Sequence, residues 1–325
     1  MPIDWSPFVE MVRARQRFLL MTHIKPDCDA IGSEIGMAEV LRQLGKTARV
    51  VIVGAMPNRY SFIDPDREVM TFKPSAPEFK DVDASIVLDT GTWNQLGEVG
   101  SHLRGLNVAK AVIDHHRTQD DLGGIALVDP SAEATARLVV EAADALGVKI
   151  TPKAATALFV ALATDTGWFR HANTTPATFL LAERLARAGA KPNKLYEALY
   201  EQNTLPRLRL IGLALERLQV AGAGRIAYTE IFQRDFADTG AGPGDTEDIV
   251  NYPRGVQGVE VALCFTEQPG GSVKVSLRSR EAIDIGAVAE TFGGGGHRLA
   301  AGCSVQGSVP EVRAKLLAAL LPLVA

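Results

Sequence analysis

The chain has 325 residues, of which 46% are hydrophobic and 22% are charged, and its formal net charge is −4 at pH 7. This composition is typical of a globular protein, and the length favours two domains over one. A protein that coats long duplex nucleic acid needs a strongly basic face, so the slight negative charge argues against that function. It does not exclude a short anionic substrate held by a few local cations and metal ions.

Cysteine content and hydropathy indicate the cellular compartment in which the protein is expected. Cys28, Cys264 and Cys303 are too few and too scattered for a disulfide framework or a CxxC metal site. We expect Cys264 and Cys303 to be buried free thiols in a reducing compartment. The first residues lack an apolar secretion signal, and no stretch approaches the ~20 apolar residues of a membrane span. The sequence therefore predicts a cytoplasmic protein without a membrane segment.

Short apolar segments alternate with helical patterns in the first half of the chain. Continuous rather than alternating hydrophobicity is typical of parallel strands that are covered on both faces. Strands are predicted at 17–24, 48–54, 84–90 and 109–116, and helices at 29–45, 131–147 and 152–167. This alternation predicts an α/β domain with a doubly wound, mostly parallel sheet.

The second half of the chain has a different pattern. A helix at 205–218 precedes strands at 225–232, 258–267 and 271–280, and turn residues at 269–271 join the last two. This hairpin predicts a mixed sheet in a smaller second α/β domain, which ends in the glycine-rich segment GGGGH (293–297) and a helix at 309–324. We place the domain boundary near 190–205.

Titratable side chains concentrate where the predicted strands of the first half end. In an open parallel sheet, the carboxyl ends of the strands form the crevice in which ligands bind. Asp165, at the end of a predicted helix, can join the side chains at this edge. The set is His23, Asp27, Asp29, Asp89, Asp114, His115, His116 and Asp165.

Some members of this set, taken singly, can have a purely structural role instead of a functional one. Asp27 or Asp29 can cap a helix, and Asp89 can close a turn. A run of three adjacent titratable groups, Asp114 to His116, is harder to explain at a buried strand end. Together the groups need a counter-charge, because burial and like charges oppose ionisation. Histidine with several carboxylates favours a hard or borderline divalent metal, and a carboxylate shared by two ions is typical of phosphoryl hydrolysis.

Five motifs resemble those of the DHH phosphoesterase superfamily and of its companion DHHA1 domain. They are HIKPDCDAIGS (23–33), VLDT (87–90), IDHH (113–116), TDTGWF (164–169) and GGGGHRLAAG (293–302). They occur in the family's order, and the chain is similar to the NrnA-like subfamily of bifunctional oligoribonucleases and 3′-phosphoadenosine-5′-phosphate (pAp) phosphatases. The resemblance implies a DHH catalytic domain at 1–192, a helical linker at 193–212 and a DHHA1 substrate-binding domain at 213–325, with the active site in the cleft between the domains.

The resemblance also implies a metal-ligand set. Two divalent ions are expected, Mn²⁺ first, with Mg²⁺, Co²⁺ or Fe²⁺ as alternatives. The implied ligands are His23 and Asp27 on one ion, Asp29, His115 and Asp165 on the other, and Asp89 on both.

Three residues of the motifs have implied catalytic roles. Asp89 would bridge the ions, and Asp114 would orient a neighbouring ligand. His116 would face the substrate phosphate and donate a hydrogen bond or protonate the leaving group. Cys28 departs from the family pattern, which usually has glycine there. If that position requires a positive φ, cysteine would be strained.

The C-terminal motif implies the substrate-binding residues. The glycines would supply consecutive N–H donors that form an anion nest, and the arginines would bind phosphate. The implied set is Arg254, Arg278, Ser279, Gly294, Gly295, Gly296, His297 and Arg298.

The implied function is hydrolysis of short RNA or DNA oligonucleotides, or of pAp, to mononucleotides. We expect neither long duplex nucleic acid nor a membrane as a partner, and a homodimer is possible. Alternatives in the superfamily are a linear or cyclic dinucleotide phosphodiesterase, a pyrophosphatase and a RecJ-like exonuclease. The last would need a stacking platform and a basic channel, which the sequence does not indicate. A regulatory nucleotide-binding protein is the non-enzyme alternative, and it would have lost a ligand position, whereas each is occupied here.

Overall fold

The computed structural model describes residues 3–79, 81–280 and 283–324. Residues 1, 2 and 325, at the ends of the expected domains, lie outside the described part. The chain divides into two units, one ending at Gln202 and the other beginning at Asn203. This division falls between two helices, Pro192–Tyr200 and Leu205–Glu216.

The N-terminal unit contains an α/β fold. Its helices are α1 (Ser6–Ala14), α2 (Cys28–Gln43), α3 (Trp93–Gly105), α4 (Thr135–Leu146), α5 (Pro152–Asp165), α6 (Pro176–Ala188) and α7 (Pro192–Tyr200). Its strands are β1 (Arg17–Met21), β2 (Thr47–Ile52), β3 (Val69–Thr71), β4 (Ala84–Leu88), β5 (Ala109–Asp114) and β6 (Ile125–Val128). Short 3-10 helices span Asn58–Ile63 and Pro77–Phe79.

The six strands form one parallel sheet in the order β3-β2-β1-β4-β5-β6. Successive residues of β1 enter different cores: Phe18 and Leu20 pack with α2, α4 and α5, whereas Leu19 and Met21 pack with α3. A strand with both faces buried needs apolar residues throughout, which explains the continuous hydrophobic runs. The predicted doubly wound parallel sheet is therefore confirmed, and the strands missed by the prediction are the short edge strands β3 and β6.

Helices α2 and α5 pack closely enough to require glycine at their contact. A Cβ added at Gly32 would lie 2.5 Å from the Ala157 carbonyl oxygen and 2.9 Å from the Ala161 Cβ. Close packing of this kind leaves little room for adjustment. Since α2 begins at Cys28, this contact fixes the helix that follows the first cluster of polar residues.

The C-terminal unit contains a second α/β fold. Its helices are α8 (Leu205–Glu216), α9 (Gln233–Thr239), α10 (Asn251–Arg254), α11 (Ile285–Thr291) and α12 (Val309–Leu320), with 3-10 helices at Gly222–Gly224, Pro243–Thr246 and Leu321–Leu323. Its strands are β7 (Gln219–Ala221), β8 (Ile226–Ile231), β9 (Val261–Gln268), β10 (Ser272–Ser279), β11 (Gly295–His297) and β12 (Ala300–Gln306). The sheet order is β11-β12-β10-β9-β8-β7.

This second sheet is mixed, as predicted. Strands β8 and β9 are parallel, and the other pairs are antiparallel. The turn between β9 and β10 contains Gly270 and Gly271 at φ 85° and 78°, a conformation that favours glycine. The predicted hairpin is therefore confirmed.

Two expectations about composition can be compared with the structure. All three cysteines are buried free thiols, as predicted for Cys264 and Cys303. In the described ranges, no helix combines the length and the apolar character needed to cross a bilayer.

The glycine at the contact of α2 and α5 gives a stability prediction. Gly32→Ala should destabilise the protein by about 1–2 kcal/mol, because overpacking outweighs the better helix propensity of alanine. Gly212→Ala in α8 is the matched control, since a Cβ there meets no atom within 4 Å. This control should stabilise its helix by about 0.5–1 kcal/mol. Urea unfolding followed by circular dichroism measures both, and a stabilising Gly32→Ala would contradict the packing account.

Candidate metal centre

The eight predicted residues lie at the carboxyl edge of the N-terminal sheet or at the end of α5. Strand β1 leads to His23, Asp27 and Asp29, and β4 leads to Asp89. Asp114 is the last residue of β5, His115 and His116 follow it, and Asp165 is the last residue of α5. Potential metal-ligand atoms fall into three groups, in each of which all atoms lie within 4.8 Å of one another: His23, Asp27 and Asp89; Asp29, His115 and Asp165; and Asp89, His115 and His116.

Asp89 lies at the centre of these groups. Its Oδ2 is 3.6 Å from His23 Nε2, and its Oδ1 is 3.5 Å from His115 Nε2. The two oxygens of one carboxylate thus face two different groups. Asp89 has φ 60°, in the left-handed region that non-glycine residues rarely adopt.

Asp29 is held by hydrogen bonds that the sequence did not predict. Its Oδ2 accepts from the Thr135 backbone N–H at 2.7 Å, and its Oδ1 accepts from the Ala136 N–H and the Ser33 hydroxyl, both at 3.1 Å. The Thr135 hydroxyl donates to Asp89 Oδ1 at 2.9 Å. The first N–H groups of α4 therefore hold one carboxylate, and its first side chain holds another.

Two histidines follow Asp114 and differ in their contacts. His115 Nδ1 lies 3.1 Å from the Ala132 carbonyl oxygen, so Nδ1–H donates there and Nε2 faces the carboxylates. His115 Nε2 lies 3.8 Å from Asp29 Oδ2 and 3.7 Å from Asp165 Oδ2. His116 Nδ1 donates to Asp114 Oδ1 at 2.7 Å, and its side chain is 47% exposed. His115 is therefore turned into the cluster, and His116 is turned toward solvent.

Asp114 is fully buried, and its contacts decide its charge. Burial opposes its ionisation, but hydrogen bonds from His116 and Gln119 outweigh that effect and lower its pKa. In return, the hydrogen bond to Asp114 raises the pKa of His116. Asp114 is thus a carboxylate that supports a protonated or hydrogen-bond-donating His116.

The other carboxylates of the cluster are in the opposite situation. Burial, together with repulsion between the carboxylates, raises the pKa values of Asp29 and Asp89, and raises that of Asp165 to about 7. Burial also lowers the pKa of His23. The cluster therefore places buried carboxylates that repel one another beside imidazole nitrogens. Its oxygen and nitrogen donors, without thiolate, suit a hard or borderline divalent cation.

Cys28 is not strained, contrary to the concern raised by its place in the motif. It is the first residue of α2 and is absent from the positive-φ residues of the described chain. Asp27 caps this helix, because its Oδ1 accepts from the N–H groups of Asp29 and Ala30 at 3.0 and 3.1 Å. The thiol is 1% exposed, and burial raises its pKa, which keeps it protonated and unreactive.

The glycine-rich segment differs from the predicted anion nest. The N–H groups of Gly293 and Gly294 donate to carbonyls of α11, and Gly295 to His297 form the edge strand β11. A Cβ at Gly296 would lie 2.5 Å from the Ala300 carbonyl oxygen, and one at Gly294 would lie 2.2 Å from that of Gly302. The glycines therefore permit close pairing with β12 and do not form a loop of consecutive free donors.

The remaining predicted substrate-binding residues also lie in the C-terminal unit. Ser279 is buried, and its hydroxyl donates to the Ile283 carbonyl at 2.7 Å. Arg254 ends α10, and Arg278 lies in β10. His297 and Arg298 are exposed at the end of β11 and in the turn that follows it.

The raised carboxyl pKa values predict how pH affects the metal-free protein. Asp165 titrates near 7 when folded and near 4 when unfolded, so the folded chain binds more protons between these values. Stability should therefore fall as pH rises from about 4 to about 7. Asp29 and Asp89 act in the same direction, and His23 opposes them.

Thermal unfolding in EDTA between pH 5 and 8 tests this trend. We expect the Tm to fall with pH in EDTA and to rise with pH in a divalent ion, because the ligands must be deprotonated to bind it. Asp165→Asn should flatten the EDTA curve. A Tm that rises between pH 5 and 7 in EDTA would show that burial and mutual repulsion do not raise the pKa values of these carboxylates.

Comparison with known proteins identifies the family. A model of the DHH family N-terminal domain matches residues 17–163, and a model of the DHHA1 domain matches residues 224–324. The chain is 34% identical over 295 residues to the bifunctional oligoribonuclease and PAP phosphatase NrnA of Thermus thermophilus, covering 89% of this chain and 84% of that protein. It is 27% identical over 304 residues to the protein of the same name from Bacillus subtilis, covering 92% and 93%.

A solved structure shares the fold. An exopolyphosphatase-related protein from Bacteroides fragilis, 23% identical, matches with a TM-score of 0.88 over 98% of this chain and 96% of that chain. The family models cover the first sheet and strands β8 to β12 of the second, and the relatives match along most of the chain. The chain therefore belongs to the DHH family, with a C-terminal DHHA1 domain and an NrnA-like sequence.

Proposed function

We propose that this protein is a two-metal phosphoesterase that hydrolyses short oligonucleotides, pAp or both to mononucleotides. The observation that carries the proposal is the position of Asp89, whose two carboxylate oxygens face two separate groups of ligand atoms. One carboxylate between two such groups suits a pair of divalent ions, an arrangement typical of phosphoryl hydrolysis.

The proposed ligands follow two of the three groups, and Asp89 would join the second through His115, whose Nε2 lies 3.5 Å from Asp89 Oδ1. His23 and Asp27 would hold one ion, Asp29, His115 and Asp165 the other, and Asp89 both. When bound, the ions supply Lewis-acid polarisation of the phosphoryl oxygens and a water of lowered pKa. Mn²⁺ is the proposed native metal, because imidazole with several carboxylates suits it well.

The protein's own groups position the reactants. The hydrogen bonds from Thr135, Ala136 and Ser33 fix Asp29 before any ion binds, so the site needs little rearrangement. His116, exposed and held by Asp114, would present Nε2 to the substrate. The hydrogen bond to Asp114 raises the pKa of His116, which favours the protonated imidazole that would donate to a phosphoryl or leaving-group oxygen.

Short substrates are proposed from the relatives and from charge. The Thermus thermophilus and Bacillus subtilis relatives are named for oligoribonuclease and PAP phosphatase activity. A net charge of −4 is a poor match for a long polyanion. We propose that the N-terminal unit carries the chemistry and that Arg254, Arg278, His297 and Arg298 of the C-terminal unit contact the phosphate or the nucleotide.

Removing a proposed ligand should abolish turnover. Asp89→Ala and His115→Ala should each lower kcat by at least about 10³-fold, because metal polarisation supplies several kcal/mol. Asp144→Ala is the surface control, since Asp144 is an exposed carboxylate of α4 paired with Arg184. Steady-state kinetics with Mn²⁺ and calorimetric metal titration should be run on all three variants. Full activity in either ligand variant would overturn the assignment.

A substrate panel tests the specificity. The purified protein with Mn²⁺ should hydrolyse pAp and RNA or DNA of two to about five nucleotides faster than 24-mers, because few local cations hold the substrate. The panel includes linear and cyclic dinucleotides and pyrophosphate. Activity confined to oligomers longer than about ten nucleotides would exclude the short-substrate proposal, and activity confined to pyrophosphate would exclude nucleotide hydrolysis.

A further inference from the structure

We propose that Gln119 is a positioning residue that fixes Asp114 and, through it, His116, and that Gly91 is glycine because the Gln119 amide occupies the space of a side chain there. The catalytic consequence rests on the proposed function, whereas the structural coupling between Gln119 and Gly91 does not.

Gln119 completes the hydrogen bonding of a buried carboxylate. Its Nε2 donates to Asp114 Oδ2 at 2.5 Å and to the His116 carbonyl at 3.0 Å. The other oxygen, Asp114 Oδ1, accepts from His116 Nδ1 at 2.7 Å and from the His116 backbone N–H at 3.2 Å. Each oxygen of the Asp114 carboxylate therefore has a donor: Gln119 donates to Oδ2, and His116 donates to Oδ1.

This arrangement restricts rotation of Asp114. A carboxylate held on one oxygen can turn about its side-chain torsion, whereas one held on both oxygens is fixed. Because Asp114 is fully buried, losing the Gln119 donor would leave Oδ2 without its amide partner and weaken the orientation of His116. Gln119 itself lies near the surface. Its contribution would be exerted through Asp114.

Gly91 lies against the Gln119 amide. A Cβ added at Gly91 would be 1.7 Å from Gln119 Oε1, 2.3 Å from its Cδ and 2.7 Å from its Nε2. Gly91 is not among the positive-φ glycines, so space and not backbone conformation excludes a side chain here. The atoms in the way belong to the end of a flexible side chain. An alanine would therefore displace Gln119 and leave the backbone of the fold in place.

Hydrogen bonds hold the segment after β4, which contains Gly91, close to the segment after β5, which contains Gln119. The Asp120 N–H donates to the Gly91 carbonyl at 2.7 Å, and the Trp93 N–H donates to Asp120 Oδ2 at 2.9 Å. The Trp93 indole donates to the Asp121 carbonyl at 3.1 Å. Because these bonds do not involve the Gln119 side chain, they should persist when that side chain is removed or moved.

A double-mutant cycle tests the coupling. The variants are Gln119→Ala, Gly91→Ala and the double variant, with Gln43→Ala as a control that removes an exposed glutamine bonded to the Lys149 carbonyl. Each single site variant should lower kcat about 10–100-fold, as loss of an outer support of a metal site does, with a smaller change in KM. When Gln119 is already alanine, Gly91→Ala should lower kcat by less than about twofold, because Gly91→Ala acts by displacing the Gln119 side chain.

Two readouts separate positioning from a general structural defect. The ¹⁵N shifts of the His116 ring at fixed pH with Mg²⁺ should change alike in both single variants, because the hydrogen bond from Nδ1 to Asp114 weakens. Thermal unfolding should stay cooperative, and the Tm should fall slightly and alike in both single variants, because Asp114 Oδ2 loses the same donor. Gln119→Glu, which sets a second carboxylate against Asp114, should lower kcat more than Gln119→Ala does.

Additive effects of Gly91→Ala and Gln119→Ala, or unchanged His116 shifts in Gln119→Ala, would overturn the proposal. If the wild-type protein were inactive on every phosphoester, the proposed function would fail. The ring shifts and the Tm values of the cycle would still decide whether Gln119 and Gly91 are coupled.

Discussion

The structure of the N-terminal unit depends on one costly arrangement, the burial of several carboxylates at the same sheet edge. Asp29 and Asp89 are only 2% and 3% exposed, burial raises the pKa of both, and the charge of Asp29 raises that of Asp89 further. Folding brings them together because the carboxyl ends of parallel strands meet at one edge. Protonation of the carboxylates or a bound cation offsets this cost, so a cation that binds here would also stabilise the fold.

The fold limits this cost by providing hydrogen-bond donors to Asp29 from a helix distant in sequence and from its own helix. The N-terminus of α4 supplies two backbone N–H groups to Asp29, and α2 supplies the Ser33 hydroxyl. The close contact of α2 with α5 at Gly32 holds both helices against the same core. The geometry of the cluster and the packing of the core are therefore linked, since α2 and α4 both contribute to the core and hold Asp29.

The sequence predicted those features that leave a periodic or local signal. Continuous apolar runs indicated the central strands, and the polar residues that follow them indicated the cluster. The donors on Thr135 and Ala136 were missed because they are mostly backbone groups brought close by tertiary packing across more than 100 residues. The glycine run was predicted as a nest because composition does not distinguish a free loop from a strand paired closely with its neighbour. Edge strands β3 and β6 were too short for their pattern to stand out.

The backbone of Asp89 has a consequence for which sequences can occupy that position. Its φ of 60° favours glycine, asparagine or aspartate, whereas the proposed bridge requires a carboxylate of short reach. Glycine satisfies the first requirement and fails the second, whereas glutamate fails both, because it disfavours this φ and its side chain is longer. The conformational requirement and the chemical requirement are independent, and aspartate is the residue type that meets both. Descendants of this chain that drift to asparagine there would keep the shape of the turn while losing its charge, and could persist as folded binding proteins.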